Sequence, residues 1–252
     1  MSAPRPVSPM RRIGLVGGMS WESSALYYRL LNQAVQCELG GHHNAVSIMV
    51  TLDFQVLVDA AGRGDWNEVA GHIGGAANQL ERAGADFMLL TANTAHQVFD
   101  ALPDYTRLPA LHIGAPTARA LKSARHARVG IIGTRHVTES SFYADWMSRH
   151  AGIEVVPPEA ADRRWLDAVI FDELAKGRVN AESRAALLAM LDRMRLAGLD
   201  AVIVACTELP LLLAAEGAAP ALPCFDTVAL HVAMAVDVAL GRAHIACGED
   251  AS

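Results

Sequence analysis

Two stretches of this chain share one pattern, and that repetition constrains the fold more than any other feature. Ala197-Gly198-Leu199-Asp200-Ala201-Val202-Ile203-Val204-Ala205-Cys206-Thr207-Glu208-Leu209-Pro210 is a turn, an apolar run of strand length, then a cysteine and two polar residues. Ala83-Gly84-Ala85-Asp86-Phe87-Met88-Leu89-Leu90-Thr91-Ala92-Asn93-Thr94-Ala95-His96 reads the same way, without a gap. The shift that carries Ala83 onto Ala197 sets Ala92 opposite Cys206 and Asn93-Thr94 opposite Thr207-Glu208. Ile13-Gly14-Leu15-Val16-Gly17-Gly18 and Val129-Gly130-Ile131-Ile132-Gly133-Thr134 form a second matching pair. An unbroken apolar run is a strand buried on both faces, the kind found in parallel sheets, whose C-terminal strand ends receive ligands. The chain therefore reads as two copies of one α/β unit, each offering a polar strand end to a shared cleft. One copy carries a thiol there, the other a methyl group.

From Arg12 onward, strand and helix patterns alternate with short turns, the signature of βαβ units. Strand runs are expected at 13–16, 46–51, 87–90, 110–113, 129–132, 153–156, 201–205 and 222–225. Helical periodicity covers 65–83, where Trp66, Val69, Ile73, Ala77 and Leu80 share a face, and also 163–176, 181–197 and 227–240. Gly198 and Gly241 are natural C-terminal stops. The fold class is α/β: two pseudo-symmetric, doubly wound parallel-sheet lobes with the active site between them. The expected boundaries are a first lobe over 12–114, a second over 115–225, a helix over 226–241 returning to the first lobe, and a disordered leader over 1–11.

Composition excludes several function classes. Of 252 residues, 52% are hydrophobic and 19% charged, and the net charge of −6 offers no basic footprint for nucleic acid. Lys122 and Lys176 are the only lysines, which disfavours pyridoxal chemistry, since that cofactor needs a Schiff-base lysine. No run is long enough to span a membrane, and the leader lacks the apolar middle of a signal peptide. Cys37, Cys206, Cys224 and Cys247 have neither zinc-ribbon nor disulfide-framework spacing, so a cytoplasmic protein is expected.

The chemistry concentrates at strand ends. Gly14-Leu15-Val16-Gly17-Gly18-Met19-Ser20 closes a strand and opens a helix, with Ser20 as N-cap and Glu22 in its first turn. It is not G-x-G-x-x-G, and Glu22 would repel a diphosphate. The loop reads either as a tight turn or as backbone N–H groups of Met19 and Ser20 set to hold a small carboxylate. Cys206 follows a buried strand. To act as acid, base or nucleophile its thiol needs a lowered pKa, as at a helix N-terminus; otherwise it is a buried structural cysteine, as Cys37, Cys224 and Cys247 are read to be. Asn93 and Thr94 either hydrogen-bond a carboxylate or cap the following helix. His96, in the first turn of that helix, is structural or bridges to the opposite lobe. His42-His43 and His112 lack partners at metal-ligand spacing, so no metal is expected.

Gly17-Gly18-Met19-Ser20-Trp21-Glu22-Ser23, Asn93-Thr94-Ala95-His96, Gly133-Thr134-Arg135 and Cys206-Thr207-Glu208 resemble, in order, the motifs of the aspartate/glutamate racemase family. Leu108-Pro109-Ala110-Leu111-His112-Ile113 and Phe225-Asp226-Thr227 fit its pattern too. The likeness is to its broad-specificity amino-acid racemases and runs from about Ile13 to Leu240. It implies cofactor-independent proton transfer at the α-carbon of an amino acid, in a cleft between two lobes, by a homodimer. It also implies that one residue on each lobe flanks that carbon. The second-lobe group carries over onto Cys206, and the first-lobe position falls on Ala92. In the broad-specificity group that position can be threonine with a cysteine one place earlier; here the earlier place holds Thr91. The group also tends to have threonine where this chain has Val137, next to Thr138. Asn93, Thr94, Thr134 and Thr207, with Met19 and Ser20, are the expected substrate-binding set.

Alanine neither takes nor gives a proton, and Thr91, one residue along a strand, should point to the other face. Three readings follow: a racemase-like isomerase of an acidic or small polar amino acid; a one-cysteine decarboxylase or isomerase of a malonate-type acid; or a degenerate racemase that only binds an amino or dicarboxylic acid.

Overall fold

The apolar runs become parallel strands in two separate sheets. The computed structural model describes residues 10–245. Cys247 and the first nine positions of the expected leader lie outside the described residues. Of the rest of that leader, the Arg11 N–H bonds the Ala239 carbonyl at 2.9 Å, and its guanidinium lies 5.2 Å from the Phe87 ring centroid.

The chain up to Ile113, together with its end from His231, forms one compact unit. Gly114–Leu230 forms the other. In the first unit β1 (Ile13–Gly17) lies between β2 (Ser47–Thr51) and β3 (Phe87–Leu90), Ile13 pairing with Ser47 and Phe87. In the second, the order is β5 (Glu154–Val156), β4 (Arg128–Ile132), β6 (Val202–Val204) and β7 (Cys224–Asp226), again all parallel. The first strand of each unit is therefore flanked by its second and third, which is the internal repeat expressed as topology.

Helices cover the strands as their apolar faces require. α3 (Trp66–Arg82) begins at Asp65, whose carboxylate accepts the Glu68 N–H at 3.0 Å, and it buries Val69, Ala70, Ile73, Ala76, Ala77 and Leu80. These side chains form one cluster with Val16, Met88 and Leu90, which share a sheet face by the two-residue alternation of strands. α1 (Trp21–Leu39) is capped by Ser20 and buries Tyr27, Leu31 and Val35. α2 (Phe54–Gly62), capped by Asp53, is a helix the periodicity did not reveal. The second unit adds α4 (Gly114–Ser123), α5 (Arg135–Glu139), α6 (Phe142–Ala151), α7 (Ala160–Ala168), α8 (Ala181–Leu196) and α9 (Leu209–Leu213). α10 (Thr227–Ala239) starts in the second unit and continues into the first. Among the described residues, no helix is long and apolar enough to cross a membrane.

Two expectations are corrected. Residues 110–113 do not form a strand; only Ala110 bridges to Met88. Beyond it, side chains take the backbone groups a ladder would need: His231 Nε2 donates to the Leu111 carbonyl, and the Ile113 N–H donates to His96 Nε2. The helix expected over 163–176 is instead α7, then a π-turn over Val169–Glu173 and a 3₁₀ turn over Leu174–Lys176. The widened turn keeps Val169, Ile170 and Leu174 all buried, before Gly177 at φ 72° ends the segment.

Candidate active site

In the first unit the ends of β1 and β3 lie side by side, so the Gly17–Ser20 loop and Thr91–Thr94 are neighbours. The loop turns at Gly18, whose φ of 88° favours glycine and whose added Cβ would run into the Leu52 carbonyl. Ser24, the residue just after the Gly17–Ser23 motif, which the sequence reading passed over, ties the two ends together. Its hydroxyl accepts the Gly18 N–H at 2.8 Å, donates to the Ser20 carbonyl at 3.0 Å and lies 3.1 Å from Thr91 Oγ1. Ser20 caps α1 through its own hydroxyl, which accepts the Ser23 N–H at 3.4 Å. The Met19 side chain joins the apolar cluster beneath.

Thr91 is fully buried, and its hydroxyl donates to the Val16 carbonyl at 3.2 Å. Its proton is committed inside the unit, which gives it no exposed acid function. Ala92 is half-buried against the apolar cluster. Asn93 is buried and Thr94 half-buried at the start of an eleven-residue 3₁₀ helix, Thr94–Asp104. The Asn93 side chain makes no capping bond to that helix, so the capping alternative does not hold.

Both ring nitrogens of His96 are bonded within the first unit. Nδ1 donates to the Ala92 carbonyl at 3.0 Å, and Nε2 accepts the Ile113 N–H at 3.1 Å, which sets the tautomer. Burial lowers its pKa to about 4, so the ring is neutral. His112 and His231 stand against it, with ring centroids 4.8 and 5.9 Å away. Both nitrogens of His231 are bonded as well, Nδ1 to Tyr27 Oη and Nε2 to the Leu111 carbonyl. No group of three or more metal-ligating side chains gathers among the described residues.

In the second unit the ends of β4 and β6 are neighbours, and the Ala205 N–H bonds the Ile132 carbonyl at 2.8 Å. Their approach is tight, because a Cβ added at Gly133 would sit 2.9 Å from the Ala205 carbonyl oxygen. This places Thr134, Cys206 and Thr207 together. Thr134 is half-buried and begins α5. The Thr138 hydroxyl donates back to the Thr134 carbonyl at 3.1 Å, so it does not stand in for the threonine replaced by Val137, which is buried.

Cys206 is 6% exposed, at the rim of the apolar cluster of the second unit. Its Sγ donates to Glu208 Oε2 at 3.0 Å, and the same oxygen accepts the Thr207 hydroxyl at 2.6 Å. Here the expectation of a lowered pKa is overturned. Burial first, then the Glu208 carboxylate, pushes the thiol well above its ordinary range, although the N–H groups of Glu208 and Leu209 act the other way. Glu208 was visible in the motif, but only its side-chain direction shows that it meets the thiol. Cys37 and Cys224 are exposed rather than buried. An open groove of about 490 Å³ lies elsewhere in the first unit, lined by Tyr28, Arg29, Gln33, His42 and His43 among others.

Parallel α/β units whose strand ends carry an amide, hydroxyls and a thiol define a class of α/β protein built to hold a small polar ligand. The chain belongs to the Asp/Glu/Hydantoin racemase family, whose model matches residues 16–235. It is similar to a protein from Yersinia pestis assigned as an Asp/Glu racemase, at 37% identity and a TM-score of 0.85, over 92% of this chain and 100% of that one. It is also similar to an aspartate racemase homologue from Pyrococcus horikoshii OT3, at 27% identity and a TM-score of 0.79, over 91% and 99%. A glutamate racemase from Parafrankia sp. is 33% identical over 140 residues, which span 54% of this chain and 48% of that protein. The chain thus matches about half the length of that relative.

Proposed function

We propose that this chain is a cofactor-independent, racemase-like isomerase that moves the α-proton of an acidic or small polar amino acid through Cys206. The observation that carries the reading is a thiol at the C-terminal end of β6, beside Thr207 and the end of β4, in a chain of the racemase family. Asn93, Thr94, Thr134 and Thr207, with backbone N–H groups of Met19 and Ser20, are assigned to the carboxylate and amino groups of the substrate. Each lies at a strand end or in the turn that follows one.

Removing an α-proton leaves a planar carbanion, which inverts only when the proton returns from the opposite face. The position paired with Cys206 by the resemblance holds Ala92, so a single thiol removes and returns the proton on one face, and α-hydrogen exchange outruns inversion. The same reading makes the enzyme a cytoplasmic homodimer, a state that sedimentation of the purified chain checks.

A second reading is favoured by the protonated thiol. A carbanion formed without a base, as by loss of carbon dioxide from a malonate-type acid, needs only a proton donor on one face, and Cys206 in its thiol form is one. Incubation with amino acids in deuterated water separates the two. Label at the α-carbon that disappears in Cys206→Ala supports the isomerase. No label in either protein, with carbon dioxide released from a malonate, replaces it with the second reading.

A further inference from the structure

We propose that Glu208 is a positioning residue that holds Cys206 as a thiol, so that the site is stationed to donate a proton and becomes a base only when that hold is weakened. The inference rests on the reading of Cys206 as the group that meets the substrate carbon.

The geometry is specific. A single carboxylate oxygen, Glu208 Oε2, receives both the Cys206 thiol and the Thr207 hydroxyl. If Sγ lost its proton, a thiolate on a buried sulfur and a half-buried carboxylate would face each other across 3.0 Å. Like charges at that distance disfavour ionisation of the thiol, the more so because its sulfur is buried.

Among the described residues the backbone N–H groups of Glu208 and Leu209 oppose this, and no cationic side chain on the surrounding elements does. The cluster around Cys206 is apolar, including Ile132, Val204, Leu209 and Leu212. On one side β4 runs into Thr134, and the nearby Arg135 pairs with Glu139 while its N–H bonds Asp167. On the other side β7 ends in Asp226, whose carboxylate accepts the Val228 and Ala229 N–H groups. Against α9, the 3₁₀ turn brings Lys176, which pairs with Asp172. Among the described residues, Glu208 is the one charged group with an appreciable effect on the thiol.

The same arrangement sets how Thr207 meets a ligand. Its hydroxyl proton is committed to Glu208, so the hydroxyl offers a ligand no donor.

The test compares the full chain with Glu208→Gln and Glu208→Asp. α-Deuterium exchange of aspartate and glutamate is followed against pH. Thiolate ultraviolet absorbance is titrated in a background with Cys37, Cys224 and Cys247 replaced by serine. Glutamine keeps the shape and removes the charge. The thiolate step and the alkaline rise of exchange are therefore expected to move down by at least one pH unit, which is about tenfold more exchange at a fixed pH below the rise. Glu208→Asp keeps the charge and restores the wild-type profile in part. An unchanged thiolate step in Glu208→Gln overturns the proposal. So does loss of exchange at every pH in a folded Glu208→Gln protein, since Glu208 would then itself be needed to take the proton. A shifted thiolate step in protein that exchanges no amino acid supports the hold on Cys206 and overturns the amino-acid reading of the site.

Discussion

Tyr27 Oη donates a 2.9 Å hydrogen bond to His231 Nδ1, across 204 positions of sequence. Both side chains are fully buried, and the other nitrogen of His231 donates to the Leu111 carbonyl at 3.0 Å. One imidazole thus joins α1, α10 and the segment that leads out of the first unit.

Removing the phenol should therefore cost more than an average hydrogen bond. Tyr27→Phe leaves His231 Nδ1 as a buried acceptor with its donor removed, a loss of about 1–3 kcal/mol. Urea unfolding followed by circular dichroism measures it. A change below about 0.5 kcal/mol would mean that water reaches this nitrogen.

Acid should loosen the same region. Burial holds His96 near pKa 4 and His231 near 3, and the His96 charge adds to the second depression. Both lie below the ordinary histidine value of about 6.5, so the unfolded chain takes up protons first. The stability they contribute is complete above that value and is lost as pH falls toward the folded values. The loss is about 1.4 kcal/mol per pH unit for each ring that stays neutral in the fold. Carboxylates titrate in the same range, so the comparison is with His231→Asn, whose unfolding midpoint should fall less steeply between pH 6 and pH 4. Equal slopes would show that His231 already carries a proton in the folded protein.

A second thiol should convert exchange into inversion. Ala92→Cys places an acid at the position the resemblance pairs with Cys206. Inversion should rise relative to exchange by roughly tenfold or more, while Cys206→Ala abolishes both. Chiral chromatography and α-deuterium NMR read the two rates. Wild type that inverts as fast as it exchanges would show that another group already serves the opposite face.

Asn93 should matter for binding rather than for folding. It is buried at the end of β3 without capping the helix that follows. Asn93→Ala should weaken a bound dicarboxylate by roughly 1.5–3 kcal/mol, or about tenfold to a hundredfold in Kd. Calorimetric titration decides, and a change within about twofold would remove Asn93 from the site.

How far the sequence reached depends on which groups decide each feature. β1 and β3 were legible because their apolar runs are buried on both faces and need nothing beyond their own composition. The run at 110–113, apolar but for His112, fails as a strand. Its fate lies with His96 and with His231, which is 120 positions from Leu111 in sequence. No local window holds that information. The position of Cys206 was legible from the repeat, and its charge state was not. A cysteine before a helix reads as a thiolate site until the Glu208 rotamer turns the balance. Ser24 was hidden for a related reason: a serine one turn into a helix looks like surface until Thr91 and Gly18 close on it.

The first unit is discontinuous in sequence, and this orders its assembly during synthesis. The second unit, Gly114–Leu230, is contiguous and is fully made before His231 exists. The first unit begins earlier but closes last. Until α10 emerges, Tyr27 lacks its acceptor and the Leu111 carbonyl lacks its donor. A nascent chain thus carries an unfinished N-terminal half through the whole elongation of the half that follows, and its final turns of helix complete what its first strand began.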